Sequence, residues 1–367
     1  MGKFLEELKR RNVFKAGIAY AVVAWLLIQV AAIVLPTFGT PHWVLQAVTF
    51  IIILGFPVAV FLAWAYELTP KGVKKTPDAD GDITPPRGTP MPSQRHTTRF
   101  CTASDGVRLA YMTAGEGLPL VKTANWLSHL EMDWESPISG PLLRDLSASF
   151  ELTLYDERGN GLSDWNVDDL SLDAFVGDLE TVVEAAGLQR FALLGFSQGC
   201  AVSIAYAARH PDRLTHLVLF GGFARDFRGP EQVNAVATLI EQGWGQKNPA
   251  LRQYFTSAVM PNATKEEYDA FNELQRVSTT PENAARLFRA FHSIDVTALA
   301  STITVPTLVL HARHEQGVPF EVGREMAALI PDSRFVSLEG ENHFPLEREP
   351  AYARFMEEVS RFINESG

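Results

Sequence analysis

The stretch FALLGFSQGCAVSIAYAARH, residues 191–210, places a serine in a turn between an apolar strand pattern and a helix pattern. Ser197 is the central residue of a G-x-S-x-G sequence, with Gly195 and Gly199 on either side. The strand-to-helix turn that this pattern forms is so tight that neighbouring side chains would collide with the strained backbone of the serine, and glycines avoid that collision. The pattern therefore predicts an exposed, activated serine, provided that strands and helices alternate around it.

Beyond the N-terminal quarter of the chain, apolar runs of strand length do alternate with helix patterns. The segments TRFCTAS and VRLAYMTAG flank Asp105 and Gly106, a dipeptide that favours a hairpin turn. Further strands are predicted at 118–124, 150–155, 190–195, 215–221, 307–312 and 334–338. Helix patterns stand at 172–187 and 321–331. Strands separated by helices predict an α/β domain over residues 99–367 with a mostly parallel central sheet covered on both faces.

The alternation is interrupted once. Roughly 80 residues between Gly222 and Thr307 contain no strong strand pattern. Helix patterns stand instead at 230–244, 264–276 and 280–294, the last with Thr280 as its N-cap and Pro281 at the first helical position. We therefore expect an inserted helical cap over about 223–302.

Two long uncharged runs lie near the N-terminus. Residues 16–35 are 20 residues without a formal charge, and residues 44–66 are 23 more. About 20 apolar residues suffice for a helix to cross the hydrocarbon core of a bilayer. Buried helices of a soluble domain would normally carry a polar stripe, which is missing here. We expect a transmembrane hairpin of two helices within residues 1–68.

Basic residues flank this hairpin on both outer sides. Five Lys or Arg lie between residues 3 and 15, and Lys71, Lys74 and Lys75 follow the second run, whereas the connector 36–43 has none. Because positive flanks stay on the cytoplasmic side, both ends of the hairpin and the domain after it are expected in the cytoplasm. A cleaved signal peptide is the alternative explanation of the basic start. The second apolar run, which follows at once, favours a retained segment.

Composition agrees with this division. Residues 69–98 contain six prolines and almost no large apolar side chain, which predicts a partly extended linker. Residues 1–75 carry a net charge of +5, so the remainder must carry −16 to give the overall −11. An acidic soluble part argues against nucleic acid as a partner. Cys101 and Cys200 are too few for a disulfide framework.

Several motifs of residues 99–367 resemble those of the α/β-hydrolase fold family. Besides GFSQG, the stretch DERGNGLS at 156–163 resembles the family's D-x-R-G-x-G-x-S loop, which is structural. VPTLVLHARHEQGVPF at 305–320 and LEGENHFPLEREP at 338–350 resemble the segments that deliver the acid and the histidine of a catalytic triad. The resemblance implies an α/β-hydrolase fold with a helical cap and a serine hydrolase without cofactor or metal.

The resemblance also assigns the triad, whose chain order in this fold is serine, acid, histidine. Ser197 stands at the place of the nucleophile and His343 at the place of the general base. The place of the acid holds Glu315, which can accept the imidazole N–H as an aspartate does. Asp226 follows the preceding strand, where some members of the family place their acid. Both acids remain candidates.

The oxyanion hole departs from the family pattern. Ala124 and Asn125 occupy the place of a common His-Gly dipeptide. By the resemblance, the backbone N–H groups of Trp126 and Gln198 would bind the developing oxyanion. The Trp126 ring can face the pocket or pack beneath the cap, and the sequence does not choose between these positions.

Other chemistry has less support. His311, His314 and Glu315 lie close together in sequence, but no further ligand cluster that would complete a metal site lies nearby. Gly159 and Gly161 lack the spacing of a dinucleotide-binding loop. A serine where epoxide hydrolases and dehalogenases carry an aspartate argues against their alkyl-ester chemistry.

Two further resemblances concern the setting of the domain. NWLSHLEMDWESP at 125–137 resembles a segment of hydrolase domains attached to bacterial signalling proteins, and the hairpin resembles the anchors of bacterial cyclase-like and TPR-containing proteins. They imply the inner membrane of a bacterium. Gln29 and Gln46 lie within the apolar runs, where polar side chains find partners on neighbouring helices, so the hairpins are expected to form homo-oligomers.

Two functions follow. The first is a membrane-anchored serine hydrolase that cleaves a carboxylic ester, thioester or lactone of a small acyl substrate through an acyl-enzyme. Hydrolysis of a carbon–carbon bond also remains open. The alternative is a ligand sensor with slow turnover, whose cap and anchor pass a signal to a partner. The glutamate in the acid position and the altered oxyanion loop motivate that alternative.

Overall fold

The computed structural model describes residues 97–365 continuously, together with scattered N-terminal positions. The N-terminal positions are residues 24, 27–28, 43–44, 47, 49–50, 52, 54–56, 66–69 and 72–75. The chain divides into two compact units, Met1–Pro92 and Ser93–Gly367.

In the N-terminal unit, the described positions between residues 24 and 56 are helical. Strands β1 (Tyr66–Thr69) and β2 (Gly72–Lys75) then pair antiparallel, a hairpin that the sequence patterns did not predict. The two predicted spans fall largely outside the described residues and stay a prediction. Within the part that is described, no helix has both the length and the apolar character needed to cross a membrane.

The second unit is built on an eight-stranded sheet. Its strands are β3 (Arg99–Thr102), β4 (Arg108–Ala114), β5 (Pro119–Lys122), β6 (Glu151–Tyr155), β7 (Phe191–Phe196), β8 (Leu214–Phe220), β9 (Thr307–Ala312) and β10 (Arg334–Leu338). Their spatial order is β10-β9-β8-β7-β5-β6-β4-β3. Strand β4 runs antiparallel to both of its neighbours, β3 and β6, and every other neighbouring pair in this sheet is parallel. Every strand predicted for this domain is present, with ends within two residues of the prediction.

Helices cover both faces of the sheet. They are α1 (Leu130–Glu135), α2 (Ser139–Ser149), α3 (Leu172–Ala185), α4 (Gly199–Arg209), α5 (Pro230–Gly243), α6 (Ala250–Val259), α7 (Lys265–Ser278), α8 (Pro281–Ser293), α9 (Thr297–Ala300), α10 (Phe320–Leu329) and α11 (Pro350–Asn364). Alternate residues of β7 enter opposite cores: Phe191 and Leu193 pack into one, Leu194 and Phe196 into the other. Burial on both faces is why the central strands read as continuous apolar runs. The chain therefore has the α/β-hydrolase fold expected from the sequence.

Helices α5 to α8 form the cap between β8 and β9. Thr280 caps α8 as predicted: its hydroxyl accepts the N–H of Asn283 at 3.2 Å, and Pro281 occupies the first turn. Helix α6 was not predicted. Its N-cap, Pro249, makes no side-chain hydrogen bond, and the sequence before it therefore lacks the usual start signal.

The D-x-R-G-x-G-x-S loop has the structural role that the resemblance implies. The guanidinium of Arg158 is buried and makes two hydrogen bonds to Asp178, at 2.7 and 2.6 Å, and one to Asp105 at 2.7 Å. Gly161 has a φ of 54°, and a Cβ there would lie 2.3 Å from the carboxylate of Asp156. The loop therefore needs both the arginine and this glycine to close against the sheet.

Candidate active site

The predicted nucleophile lies in a strained turn between β7 and α4. Ser197 has a φ of 54°, the left-handed region that few non-glycine residues adopt. A Cβ on Gly195 would lie 2.7 Å from the hydroxyl of Ser203, and one on Gly199 would lie 2.8 Å from the carbonyl oxygen of Ala124. The two glycines are therefore needed for close packing around the turn, as the G-x-S-x-G pattern predicts.

Histidine and acid meet at the same end of the sheet. His343 lies in the loop after β10, and Glu315 lies in the loop after β9; both are buried. The imidazole Nδ1 of His343 is 2.5 Å from Oε1 of Glu315. That oxygen also accepts the backbone N–H of Val318 at 2.8 Å. Because a carboxylate only accepts, Nδ1 carries the proton and Nε2 is left free to act as a base.

A second histidine lies behind the acid. His311, on β9, is fully buried, and its Nε2 is 2.9 Å from the carbonyl oxygen of Val318 and 3.3 Å from Oε2 of Glu315. Burial lowers the pKa of His311, which favours the neutral imidazole. A Cβ on Gly323 of α10 would lie 2.2 Å from its Nδ1, so the imidazole fits only because that helix carries a glycine there. The sequence drew attention to His311 as a possible metal ligand, but the structure places it behind Glu315.

The alternative acid has a different partner. Oδ1 of Asp226 is 2.7 Å from Nδ1 of His292, a buried residue of cap helix α8. Its two oxygens also accept the backbone N–H groups of Arg228 at 3.1 Å and Gly229 at 2.7 Å. Burial alone would raise the pKa of Asp226, but these donors outweigh it and hold the pKa below its ordinary value. The structure thus brings Glu315, and not Asp226, to His343.

The oxyanion loop connects β5 to α1. Asn125 accepts a hydrogen bond from the ammonium of Lys122, and Leu127 has a φ of 40°. Trp126 and Gln198, whose N–H groups were predicted to bind the oxyanion, line one small pocket together with Ser197. The strained residue in this loop is a buried leucine, where glycine would adopt the same φ without strain.

The Trp126 ring occupies both positions that the sequence left open. Its centroid lies 5.6 Å from those of Trp244 and Phe288 and 5.8 Å from that of Phe255, all in the cap. It also lines the main pocket beside Ser197. The indole therefore connects the oxyanion loop to the aromatic underside of the cap.

The main pocket between sheet and cap has a volume of about 330 Å³. Ser197, Gln198 and His343 form its floor on the side of the sheet, and cap residues form most of the rest. The walls are rich in aromatic rings from Trp126, Phe223, Phe227, Tyr254, Phe255, Phe288 and Phe291. Arg228 is the one Lys or Arg side chain among the residues that line it. The sequence had not singled out Arg228 or His292, because each lies in an ordinary helical or loop context.

The cap also holds the two loops that carry His343 and Glu315. The backbone N–H of His343 donates to the carbonyl oxygen of Val259, the last residue of α6, at 2.7 Å. Arg228 donates from Nη2 to the carbonyl oxygen of Gly317 at 3.0 Å. A displacement of the cap would therefore move the histidine loop and the acid loop.

A further cavity of about 50 Å³ is lined in part by residues of the oxyanion loop, among them Asn125 and Leu127. Lys122, Asp133 and Asp156 line it together with apolar side chains. Burial lowers the pKa of Lys122 and raises that of Asp133. Burial also raises the pKa of Asp156 to about 7, although two backbone N–H groups donate to its Oδ2. Oδ1 of Asp156 has no hydrogen-bond partner among the described residues.

Cys200, the third residue after the predicted nucleophile, is inert. It is fully buried, and its thiol lies 3.3 Å from the carbonyl oxygen of Gly195 and 3.5 Å from that of Phe220. Burial raises the pKa of this thiol far above its ordinary value. It therefore packs as a small apolar residue.

Known proteins resemble the chain in sequence. The sequence model of the family described as "Serine aminopeptidase, S33" matches residues 142–350, more than half of the 367 residues. A non-heme chloroperoxidase, CPO-A1, from Kitasatospora aureofaciens is 28% identical over 291 residues, which cover 72% of this chain and 99% of the relative. Pyrrolizixenacetamide deacetylase from Xenorhabdus hominickii is 26% identical over 237 residues, which cover 63% of this chain and 86% of the relative.

Solved structures resemble it in fold. The esterase RhEst1 from Rhodococcus superposes with a TM-score of 0.63 at 28% identity, covering 74% of this chain and 99% of the esterase. The enol-lactonase from Burkholderia xenovorans superposes with a TM-score of 0.59 at 25% identity, covering 73% of this chain and 100% of the lactonase.

Proposed function

The chain belongs to the serine aminopeptidase S33 family of α/β-hydrolases, and from that premise we propose that it hydrolyses an acyl bond with Ser197 as nucleophile, His343 as base and Glu315 as acid. The 2.5 Å contact between Glu315 and His343, a histidine that lines the same pocket as Ser197, is the observation that carries this proposal. A buried carboxylate fixes the tautomer of the imidazole and stabilises the imidazolium that forms during catalysis.

The proposed reaction is acyl transfer to water. Nε2 of His343 takes the proton of the Ser197 hydroxyl as its oxygen attacks the carbonyl carbon, and the N–H groups of Trp126 and Gln198 stabilise the oxyanion. The imidazolium then protonates the leaving group. Water, activated by the same imidazole, hydrolyses the acyl-serine and restores the free enzyme.

The bond we propose is a carboxylic ester, with a thioester or lactone as near equivalents. The similar proteins support this choice, because the solved structures include an esterase and an enol-lactonase and the sequence relatives include a deacetylase. The pocket of about 330 Å³ with aromatic walls suits a small apolar acyl or alcohol group.

Turnover of a short p-nitrophenyl ester tests the proposal. Ser197→Ala is expected to lower kcat by about 10⁴-fold or more at unchanged thermal stability. Ser257→Ala, which removes an exposed hydroxyl from cap helix α6, is the matched control and is expected to keep native turnover. Equal turnover by Ser197→Ala and the native protein would contradict the proposal.

The link between cap and site supports a second candidate, a sensor with slow turnover. The hydrogen bonds of His343 to Val259 and of Arg228 to Gly317 would transmit a movement of the cap to both loops. This candidate predicts one acylation per molecule followed by slow release. Fast multiple turnover of any member of an ester panel would rule it out.

We also propose that residues 16–35 and 44–66 anchor the domain on the cytoplasmic side of a bacterial inner membrane. In support, the described side chains of Leu27, Trp43 and Phe50 are apolar and more than half exposed, a surface that a bilayer would cover. The full chain is expected to stay in the membrane fraction after an alkaline wash. Its recovery in the wash would contradict anchoring by membrane spans.

We propose in addition that the anchored chains form homo-oligomers. Cross-linking of the full chain in membranes tests this proposal, and a pattern that contains only monomers would exclude it.

A further inference from the structure

Arg228 lies where the chain leaves the sheet and enters the cap, two residues before helix α5. It lines the main pocket together with Ser197 and His343. The pocket is otherwise lined mainly by aromatic and aliphatic side chains, so its single guanidinium requires an explanation.

The guanidinium leaves most of its hydrogen-bonding capacity unused. An arginine side chain has five N–H donors. Nη2 of Arg228 donates to the carbonyl oxygen of Gly317 at 3.0 Å, whereas Nε is buried and has no partner in the described part of the chain. The cation also lies 4.6 Å from the centroid of the Phe227 ring, a contact that satisfies no N–H group.

No carboxylate forms an ion pair with Arg228 within residues 97–365. The charge of Asp226 acts on Arg228 through space, but its oxygens accept from the backbone N–H groups of Arg228 and Gly229 and contact His292, and none of them bonds to the guanidinium. His292 cannot offset the charge of Arg228, because an imidazole is either neutral or cationic; burial and the positive charge of Arg228 both lower its pKa. A partly buried cation without a paired anion costs free energy, and a bound anion would recover it.

We propose that Arg228 is the anion-binding subsite of the pocket, and that the substrate is an ester whose acyl or alcohol part ends in a carboxylate. This inference rests on the proposed function of Ser197. The aromatic walls would hold the apolar middle of such a molecule. The free N–H groups of Arg228 would bind its carboxylate and direct the ester carbonyl to the serine.

A purely structural role is the competing explanation, since Arg228 also holds the loop of Glu315 through Gly317. The two roles differ in what they predict. Loss of a structural contact would slow the hydrolysis of every ester by a similar factor. Loss of an anion subsite would slow only esters that carry the anion.

The test compares two p-nitrophenyl esters of equal size. One is the monoester of adipic acid, which ends in a carboxylate; the other is the ester of adipamic acid, which ends in a neutral primary amide. The rate of spontaneous hydrolysis is subtracted for each ester. The native full chain is expected to favour the anionic ester in kcat/KM by about 10- to 100-fold. Arg228→Gln should lower kcat/KM for the anionic ester by at least about tenfold more than for the neutral ester, so that the native preference is lost. Arg228→Lys, which keeps the charge, should retain part of the preference.

Arg225→Gln is the matched control. Arg225 lies three residues earlier, is exposed and pairs with Glu325 outside the pocket, so this variant is expected to keep the native preference. Equal hydrolysis of the two esters by the native protein, or an equal loss for both esters in Arg228→Gln, would overturn the anion subsite. Failure of the proposed function gives a different result, because Ser197→Ala would then still hydrolyse both esters.

Discussion

Gly221, the first residue after β8, lies against the ring of His343. A methyl group on its Cα would stand 3.1 Å from Cε1 of that ring and 3.6 Å from Oε2 of Glu315. Its φ of 59° is also one that side chains disfavour. The glycine therefore leaves room for the imidazole beside its acid, and no sequence motif drew attention to it.

Gly221→Ala is expected to displace the imidazole and lower kcat/KM for a p-nitrophenyl ester by at least about tenfold. Gly187→Ala is the matched control, because Gly187 also has a positive φ, 73°, but a Cβ there would meet nothing within 4 Å. Both variants should lose about 1 kcal/mol of stability through backbone strain. An equal effect of the two variants on activity would show that strain, and not contact with His343, is responsible.

The two candidate acids can be separated by amide substitution. Glu315→Gln is expected to lower kcat by two to four orders of magnitude, since an amide no longer stabilises the imidazolium. Asp226→Asn removes the charge that faces His292 and is expected to change kcat by less than about tenfold. A larger loss in Asp226→Asn than in Glu315→Gln would reverse the assignment.

The buried guanidinium of Arg158 is predicted to be essential for stability. Arg158→Met would leave Asp178 buried and unpaired, and the expected loss in the free energy of unfolding is about 3–5 kcal/mol. Arg108→Met is the control, because the side chain of Arg108 is 60% exposed and that of its partner Asp164 36% exposed, and solvent-exposed pairs contribute at most about 1 kcal/mol. Urea denaturation of both variants measures the difference, and equal losses would contradict the prediction.

Stability should depend on pH through Asp156. Burial raises its pKa from 3.8 to about 7 in the folded chain. Between these values the folded state retains a proton that the unfolded state has lost, so the carboxyl makes stability fall as pH rises from about 4 to about 7. Asp156→Asn removes this effect while keeping an oxygen for the N–H groups of Leu130 and Leu162.

The melting temperature of Asp156→Asn, relative to the native protein, should therefore rise between about pH 4 and pH 7. Asp164→Asn, which removes a more exposed carboxylate next to the same loop, is the control for the loss of a negative charge. A constant difference between Asp156→Asn and the native protein over this range would contradict the raised pKa.

Much of the fold could be predicted because its elements are set by local patterns. The apolar runs, the Asp105-Gly106 turn and the N-cap at Thr280 each lie within a few residues of the structure they specify. The nucleophile turn is local at Gly195, whose close contacts are Ser203 and Cys200 of the same strand–turn–helix unit, whereas Gly199 is required by a contact with Ala124 of the oxyanion loop.

The rest of the site depends on contacts between distant parts of the chain. Asp226 and His292 are 66 residues apart in sequence, and Arg228 and Gly317 are 89 apart. The periodicity of the sequence does not show which acid lies next to which histidine. It also does not show that the side chain of Arg228 lines the main pocket. Helix α6 was missed for a related reason, since packing in the cap and not a capping signal defines its start.

The most direct test of the central claim is labelling of the detergent-solubilised full chain with a fluorophosphonate, followed by mass spectrometry of its peptides. The account predicts rapid labelling at Ser197 that is lost in Ser197→Ala and slowed strongly in His343→Ala and Glu315→Gln. A folded native protein that does not react, or that carries the adduct on another residue, would contradict the assignment of Ser197 as an activated nucleophile.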